Sequence, residues 1–191
     1  MNIGLCGSHR TGKTTLAGSI SEKFKLPFVR TFTSEVFRKY GLDPAKPMDF
    51  TQRLWIQHKV LDAAEVAWSA QQGHFVTDRT PLDMAAYTLG DIQGATVVDV
   101  AEMEDYMDRC LNTTNKYFDT LVLVQPGIPL VHEEGKAALN SSYLAHLNYL
   151  ILGLCNDERI ICRLLRMPKN VLDIGDRSRM VIEFCSTVHK G

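Results

Sequence analysis

The segment that most constrains the fold is the glycine-rich turn GSHRTGKT at residues 7–14, which follows a short apolar run. Its spacing, G-x-x-x-x-G-K-T, is typical of a loop that holds the phosphates of a nucleoside triphosphate. A strand candidate at residues 2–6 precedes the turn and a helical pattern follows it, as such a loop requires. We therefore predict a phosphate-binding loop at the end of the first strand.

Each residue type in this loop has a chemical role. Gly7 and Gly12 permit backbone turns that a Cβ atom would hinder, and they let N–H groups approach phosphate oxygens. We predict that Lys13 neutralises the β- and γ-phosphates and that the Thr14 hydroxyl binds Mg²⁺. The residues predicted to bind ATP are Gly7, His9, Arg10, Thr11, Gly12, Lys13, Thr14 and Thr15.

Along the rest of the chain, strand and helix patterns alternate, which favours a parallel sheet covered by helices. Strands are predicted near residues 2–6, 27–31, 74–77, 120–125 and 160–166. Helices are predicted to start at Asp49 and at Asp99, each with a polar residue three positions later, and from about Ser142. We predict one domain over residues 1–191, with a lid at 126–141, where two prolines and two glycines follow a core strand.

Composition narrows the classes of partner. The net charge of −1 and the pI of about 6.6 give no overall basic field of the kind that nucleic-acid binding uses. Five cysteines occur without a C-x-x-C pair, so no zinc spacing is present. No apolar run approaches the ~20 residues of a membrane span. We therefore expect a cytoplasmic protein with no membrane partner.

A second polar cluster follows the third predicted strand, where residues 78–83 read DRTPLD. Because the carboxyl ends of parallel strands meet at the ligand-binding edge, Asp78 should lie beside the phosphate-binding loop. Its carboxylate can hold Mg²⁺ or accept the proton of an attacking hydroxyl, while Arg79 can grip a phosphate. The alternative is that the two residues cap the next helix as a surface ion pair. With Lys13, they are the predicted catalytic residues, and Asp78 joins Thr14 as a metal ligand.

The loop alone indicates only that a nucleoside triphosphate binds. A switch GTPase would carry a guanine-reading N-K-x-D after a late strand, but Asn115 and Lys116 precede that strand and Asp119 comes one residue late. A hexameric motor would need a larger module with an arginine finger, which nothing in the sequence supports. A compact kinase is the better fit.

The segments GSHRTGKTTLA and DRTPLDMAAY together resemble the P-loop nucleoside and nucleotide kinase-like proteins. The resemblance is to the branch with ribosylnicotinamide kinase domains and phage-encoded nucleotide kinases, and it spans most of the chain. It implies a three-layer α/β fold with a five-stranded parallel sheet in the order 2-3-1-4-5 and a small lid. It also implies ATP with Mg²⁺ as the phosphoryl donor.

One departure from that family concerns the lid. Relatives carry lid arginines that clamp the phosphates, whereas Lys136 is the only basic residue between Pro126 and Ala145. Arg163 and Arg166 are alternatives for this role, or they form a solvated strand end.

The acceptor side is less determined by the sequence. In relatives, the long helix before the third strand carries base-reading groups, and an amide such as Gln57 can pair with a pyrimidine edge. An exposed helix glutamine is the alternative. Arg30 closes the second strand and could meet a phosphate, while Asp83 either orients Arg79 or lies in a helix's first turn. The predicted substrate-binding residues are Arg30, Gln57, Arg79, Asp83 and Lys136.

The sequence thus predicts an ATP-dependent phosphotransferase acting on a nucleoside monophosphate, with a deoxynucleotide as the first candidate. Two alternatives stay open: a kinase of a hydroxymethylated base or strand end in DNA, and a non-catalytic regulator that binds nucleoside triphosphate. The expected partner is a small-molecule nucleotide, with DNA as the alternative substrate. A homodimer is compatible with each interpretation.

Overall fold

The computed structural model describes residues 1–43, 46–129 and 140–187. Its five parallel strands are β1 (Ile3–Cys6), β2 (Phe28–Val29), β3 (Val76–Thr77), β4 (Thr120–Val124) and β5 (Arg163–Met167). Within the described ranges the helices are α1 (Lys13–Phe24), α2 (Thr33–Lys39), α3 (Phe50–Ser69), α4 (Pro81–Gly90), α5 (Val100–Tyr117), α6 (Ser141–Leu154) and α7 (Ile174–Ser186). The strand order is β2-β3-β1-β4-β5, so the predicted fold class is confirmed.

The central strand determines where the functional loop lies. β1 pairs with β3 on one side and with β4 on the other, with Ile3 opposite both Val76 and Thr120. All residues of β1 and β4 are buried, because helices cover both faces of the sheet. The chain therefore leaves β1, β3 and β4 at one edge, which brings the segments that begin at Gly7 and Asp78 together.

The hydrophobic core is divided by the sheet into two clusters. One includes Leu54, Trp68 and Phe118 and lies under α3, α4 and α5. The other lies under α1 and α7 and includes Leu16 and Val181. The predicted functional loop thus joins a buried central strand to a helix with its own packed face, and both ends of the loop are held by the core.

The predicted helix starts follow from local hydrogen bonds. The Asp49 carboxylate accepts from the N–H of Gln52 at 2.7 Å, and the Asp99 carboxylate accepts from the N–H of Glu102 at 3.1 Å. These two caps were predicted. The third predicted helix start belongs to α6, which is capped by Asn140 and begins at Ser141, one residue before the expected position.

The strands are placed as predicted, but three differ in extent. β2 and β3 each contain only two residues, and β5 begins at Arg163. The late start of β5 follows a turn in which the N–H of Ile160 donates to the carbonyl of Asp157. Most of the predicted lid, including Lys136, lies outside the described residues. No helix in the described ranges is both long and apolar enough to cross a bilayer.

Candidate active site

The loop between β1 and α1 has the conformation that its glycines predict. Gly7 has a φ of 150° and Gly12, the N-cap of α1, has a φ of 83°. A Cβ atom at Gly7 would lie 2.4 Å from the carbonyl oxygen of Val124, so a side chain cannot be accommodated there. Arg10 is also left-handed, with a φ of 62°. Non-glycine residues rarely adopt this conformation, and it marks a loop that its surroundings hold in a strained shape.

Lys13 lies across this loop. Its ammonium donates to the carbonyl oxygens of Gly7 at 2.6 Å and Ser8 at 2.7 Å, and it lies 4.0 Å from a carboxylate oxygen of Asp83. Burial lowers the pKa of Lys13, and the nearby Arg79 acts in the same direction, while Asp83 opposes both. The side chain is thus a buried cation at the first turn of α1, where the helix dipole is also positive.

Asp83 lies beneath the loop. One carboxylate oxygen accepts from the N–H of Gly7 at 2.9 Å, and the other accepts from the N–H and hydroxyl of Thr80 at 2.9 and 2.8 Å. The side chain has no exposed surface, and burial raises the pKa of its carboxyl against the opposing effect of Lys13. The expectation that Asp83 touches substrate does not fit this position. Asp83 is the third residue of α4 and anchors the loop instead.

Asp78 and Thr14 meet at the mouth of the loop. The Thr14 hydroxyl donates to the Asp78 carboxylate at 2.6 Å, although the two residues lie 64 positions apart in the chain. Thr14 is exposed and Asp78 is half-buried, so a ligand can reach both groups. These are the two residues that the sequence predicts as metal ligands, and the structure brings them together.

The fit of Mg²⁺ to these groups can be judged from the donors. Mg²⁺ prefers oxygen ligands and keeps several waters, so one hydroxyl and one carboxylate are a usual protein share when phosphates supply the rest. Among residues 1–43, 46–129 and 140–187, no group of three or more His, Cys, Asp or Glu side chains could form a metal cage. Thr14 and Asp78 therefore suit a metal that arrives with a polyphosphate.

An aromatic pair supports the exposed side of the loop. The Tyr87 hydroxyl accepts from the N–H of His9 at 3.0 Å and lies 3.0 Å from His9 Nδ1. The Arg79 guanidinium lies over the Tyr87 ring, 5.7 Å from its centroid, and the Tyr143 ring of α6 lies 6.1 Å from that of His9. Burial lowers the pKa of His9, and Lys13, Arg10 and Arg79 lower it further. His9 therefore lies within a group of cations that disfavour protonation of its imidazole.

The remaining ATP-binding candidates surround the same loop. Thr11 is buried and its hydroxyl donates to the carbonyl of Ser8 at 3.0 Å, while Thr15 is exposed in the first turn of α1. His9 and Arg10 line a cavity of about 230 Å³ that also contains Asn148 of α6. The side-chain amide oxygen of Asn148 is buried and has no hydrogen-bond partner among the described residues.

The acceptor-side residues lie toward α2 and α3. Gln57 is 7% exposed rather than a surface glutamine, and it lies one helical turn after Arg53. Arg53 forms an ion pair with Asp91 at 2.9 Å, where burial raises the pKa of the Asp91 carboxyl. Arg30 is exposed, with its guanidinium over Phe28, and lines a separate cavity of about 440 Å³ between α2 and α3.

The two arginines proposed in place of lid arginines have other hydrogen-bond partners in the structure. Arg163 is the first residue of β5, at the edge opposite the loop, and donates to the carbonyl of Phe184 at 3.0 Å. Arg166 contacts the side chain of Asn156 after α6. Arg163 is thus engaged at the far edge of the sheet, and Arg166 is engaged by a side chain at the surface.

Two residues at the loop, Asn148 and Arg177, have no counterpart in the sequence predictions, whereas Tyr87 belongs to a segment that the sequence does indicate. Tyr87 lies two turns into α4, and the segment DRTPLDMAAY that contains it was already part of the motif. No local pattern marks Asn148 or Arg177, because each reaches the loop from a helix that is distant in sequence. Arg177 lies 166 positions after Thr11, whose carbonyl oxygen accepts a hydrogen bond from it.

Comparison with known proteins agrees with this geometry. The model of a family described as AAA domain matches residues 2–130. A deoxyadenosine kinase from M. mycoides, solved with dCMP and dCDP, superposes with a TM-score of 0.70 at 16% identity, covering 98% of this chain and 100% of its own. A thymidylate kinase from Ehrlichia chaffeensis gives a TM-score of 0.64 at 15% identity, with 97% and 98% covered.

The NadR protein in complex with NAD and AMP-PNP is a third similar structure, with a TM-score of 0.60 and 15% identity. The match covers 97% of this chain and 48% of NadR. No curated protein matches this chain. At these identities the likenesses establish the fold, and they confirm the P-loop kinase architecture that the sequence resemblance implies.

Proposed function

We propose that this chain, which belongs to the AAA domain family, is a kinase that transfers the γ-phosphoryl group of ATP to a nucleotide. The observation that carries this proposal is the 2.6 Å contact between the Thr14 hydroxyl and the Asp78 carboxylate. A phosphate-binding loop and an acidic strand end meet there at the edge of a parallel sheet. This combination supports phosphoryl transfer, because the loop can hold the donor phosphates while the carboxylate lies beside them.

Several groups of the chain place positive charge around the expected position of the donor phosphates. Lys13 and Arg79 supply positive charge beside the loop, where it opposes the charge that develops on the transferred group. The N-terminus of α1 adds its positive dipole end. Thr14 and Asp78 are the residues that would hold Mg²⁺, which would supply further positive charge to the donor phosphates.

The role of Asp78 depends on the acceptor. An attacking hydroxyl loses a proton during transfer, and Asp78 can accept it. An attacking phosphate oxygen is already ionised at neutral pH, so Asp78 then serves only to position the metal. The Asp78→Asn variant should lower transfer to a hydroxyl by about 10²-fold or more, the scale of a lost general base.

We infer that the acceptor is a nucleoside monophosphate, with a deoxynucleotide as the first candidate. The fold likeness to a deoxyadenosine kinase and to a thymidylate kinase extends over 97–98% of this chain, which supports an acceptor of this size. The buried Gln57 and the Arg53–Asp91 pair provide polar groups on the acceptor side. The net charge of −1 favours a small acceptor over DNA, since DNA binding draws on several lysine and arginine contacts.

The test is transfer of labelled γ-phosphate from ATP with Mg²⁺ to three acceptor pools run in parallel. The pools are nucleosides, deoxynucleoside monophosphates, and DNA that contains hydroxymethylated pyrimidine. We expect label on a deoxynucleoside monophosphate, and dividing that pool then identifies the base. Label only on DNA would move the acceptor to a polynucleotide. Binding of ATP without transfer to any pool would favour a regulator.

Two variants link the result to the site. Asp78→Asn should retain ATP binding and lose transfer, while Asp108→Asn, on the exposed surface of α5, should retain both. Near-normal transfer by Asp78→Asn to every acceptor would contradict the assignment of Asp78 to the reaction.

A further inference from the structure

A buried arginine lies behind the phosphate-binding loop. Arg177 is in the first turns of α7 and only 1% of its surface is exposed. Its Nε donates to the carbonyl of Val171 at 2.7 Å, and its Nη1 donates to the carbonyl of Thr11 at 3.0 Å. Its Nη2 has no hydrogen-bond partner among the residues that the structure describes. One guanidinium therefore joins the loop to the segment between β5 and α7 and keeps one donor unused.

The charge of this guanidinium has no counter-ion in the described part of the chain. Both of its acceptors are neutral carbonyl oxygens, and no carboxylate of residues 1–43, 46–129 or 140–187 forms an ion pair with it. Burial lowers the pKa of Arg177, but an arginine stays protonated at any physiological pH. A buried charge without a partner is costly, and proteins retain one when a ligand or metal supplies the opposite charge.

The geometry of the loop indicates where that opposite charge would lie. The peptide between Thr11 and Gly12 is planar and trans, so its C=O and N–H point in opposite directions. Because Arg177 holds the Thr11 carbonyl, the Gly12 N–H is directed away from the guanidinium. A Cβ atom on Gly12 would lie 3.4 Å from Nη1, which places the charge directly against the backbone of the loop.

We propose that Arg177 is a positioning residue whose unpaired charge strengthens the binding of the nucleotide's polyphosphate, and that it acts through the Thr11–Gly12 peptide. This rests on the proposed function, in which the loop holds ATP. Arg177 fixes the orientation of the Gly12 N–H and adds a positive charge one peptide unit behind it. It does not touch the nucleotide. Its contribution therefore grows with the number of phosphates on the ligand and is absent for a ligand without them.

The experiment compares two substitutions of different charge with a control on the same helix. Arg177→Gln keeps N–H donors and removes the charge, while Arg177→Lys keeps the charge with a single donor group. The control is Arg179→Gln, which removes a guanidinium that is exposed and paired with Asp176 at 2.9 Å. Dissociation constants for ATP, ADP, AMP and adenosine are measured by calorimetry at one fixed ionic strength, together with Tm with and without ATP.

We expect Arg177→Gln to weaken ATP binding about tenfold, ADP binding less, and adenosine binding not at all. Arg177→Lys should retain most of the ATP affinity, and Arg179→Gln should match the wild type. The Tm of free Arg177→Gln should stay near the wild-type value while the increase given by ATP becomes smaller. A residue with only a structural role would instead lower the Tm of the free protein and affect all four ligands equally.

The outcomes separate this inference from the proposed function. A wild-type protein that binds no nucleoside triphosphate would overturn both. A wild-type protein that binds ATP, with an Arg177→Gln variant that binds it equally well, would overturn the inference alone. Equal losses for Arg177→Lys and Arg177→Gln would also overturn it, because charge would then not be the cause. If Arg177→Gln does not fold, Arg177→Lys still tests the inference. Because this variant keeps the charge, its loss of ATP affinity must be smaller than tenfold, and a larger loss would overturn the inference.

Discussion

Replacing Asp83 with asparagine should destabilise the protein more than any other single carboxylate change at the site. An asparagine keeps one acceptor oxygen, so it can serve either the Gly7 N–H or the Thr80 N–H, but not both. One buried N–H group is then left without an acceptor, at a cost of about 1–3 kcal/mol. Lys13 also loses the carboxylate that lies 4.0 Å from its ammonium.

The size of the effect can be bounded from these contacts. Removing one partner of a buried ion pair costs about 3–5 kcal/mol in general. Here Lys13 keeps two carbonyl acceptors, and burial already raises the pKa of Asp83, so part of that cost is offset. We expect a loss of about 3 kcal/mol in the free energy of unfolding, which lowers Tm by roughly 6–12 °C for a chain of this size.

The assay is thermal and urea unfolding of Asp83→Asn beside Asp78→Asn. The two substitutions are chemically identical and five positions apart, but Asp78 is half-buried and accepts from one exposed hydroxyl. Its loss should cost less than about 1 kcal/mol, as for other exposed pairs. The first variant should lose stability and the second should lose transfer. A Tm for Asp83→Asn within about 2 °C of wild type would refute the anchoring role.

Three further predictions address binding, specificity and pH. Lys13→Met should abolish ATP binding in equilibrium dialysis, because the buried cation at the loop is lost, and undiminished binding would contradict its assignment to the phosphates. Gln57→Leu should change kcat/KM between acceptor bases by about tenfold, whereas Gln71→Leu, two residues after the end of the same helix, should leave the acceptor profile unchanged. Burial lowers the pKa of His9 in the folded protein, so the unfolded protein binds a proton at this residue more readily. The stability of the fold is therefore not reduced by His9 near neutral pH and falls on acidification below the usual histidine range. The Tm of His9→Asn should therefore fall less than that of wild type between pH 7 and pH 5, and parallel curves would show that His9 does not cause the loss.

The parts of the fold that the sequence predicts are those with local causes. The loop follows from the spacing of Gly7, Gly12 and Lys13, and the helix starts at Asp49 and Asp99 follow from side chains that bond three residues ahead. The strand order agreed with the family resemblance. The lengths of β2 and β3 could not be predicted, because pairing with neighbouring strands decides how far each strand extends.

The supports of the candidate site depend on packing between distant segments. Asp83 had a local signal, since Thr80-Pro81-Leu82-Asp83 has the form of a helix start with a capping residue and an N-terminal proline. That signal predicts the bond to Thr80, but not the bond to Gly7, which lies 76 positions earlier. Tyr87 and Arg177 have no local signal of this kind, because their partners are determined by how α4 and α7 pack beside the loop.

Two opposite buried charges support the two ends of the loop, and the difference between them lies in their pairing. Asp83 holds the Gly7 end and has Lys13 as its counter-charge, so its removal leaves a cation and an N–H group unpaired in the free protein. Arg177 holds the Thr11 end with neutral acceptors only. Within the described part of the chain its charge is therefore unbalanced until an anion binds. Burial is the same for both residues, yet one should act on folding and the other on ligand affinity, because a paired charge is already stabilised and an unpaired one is not.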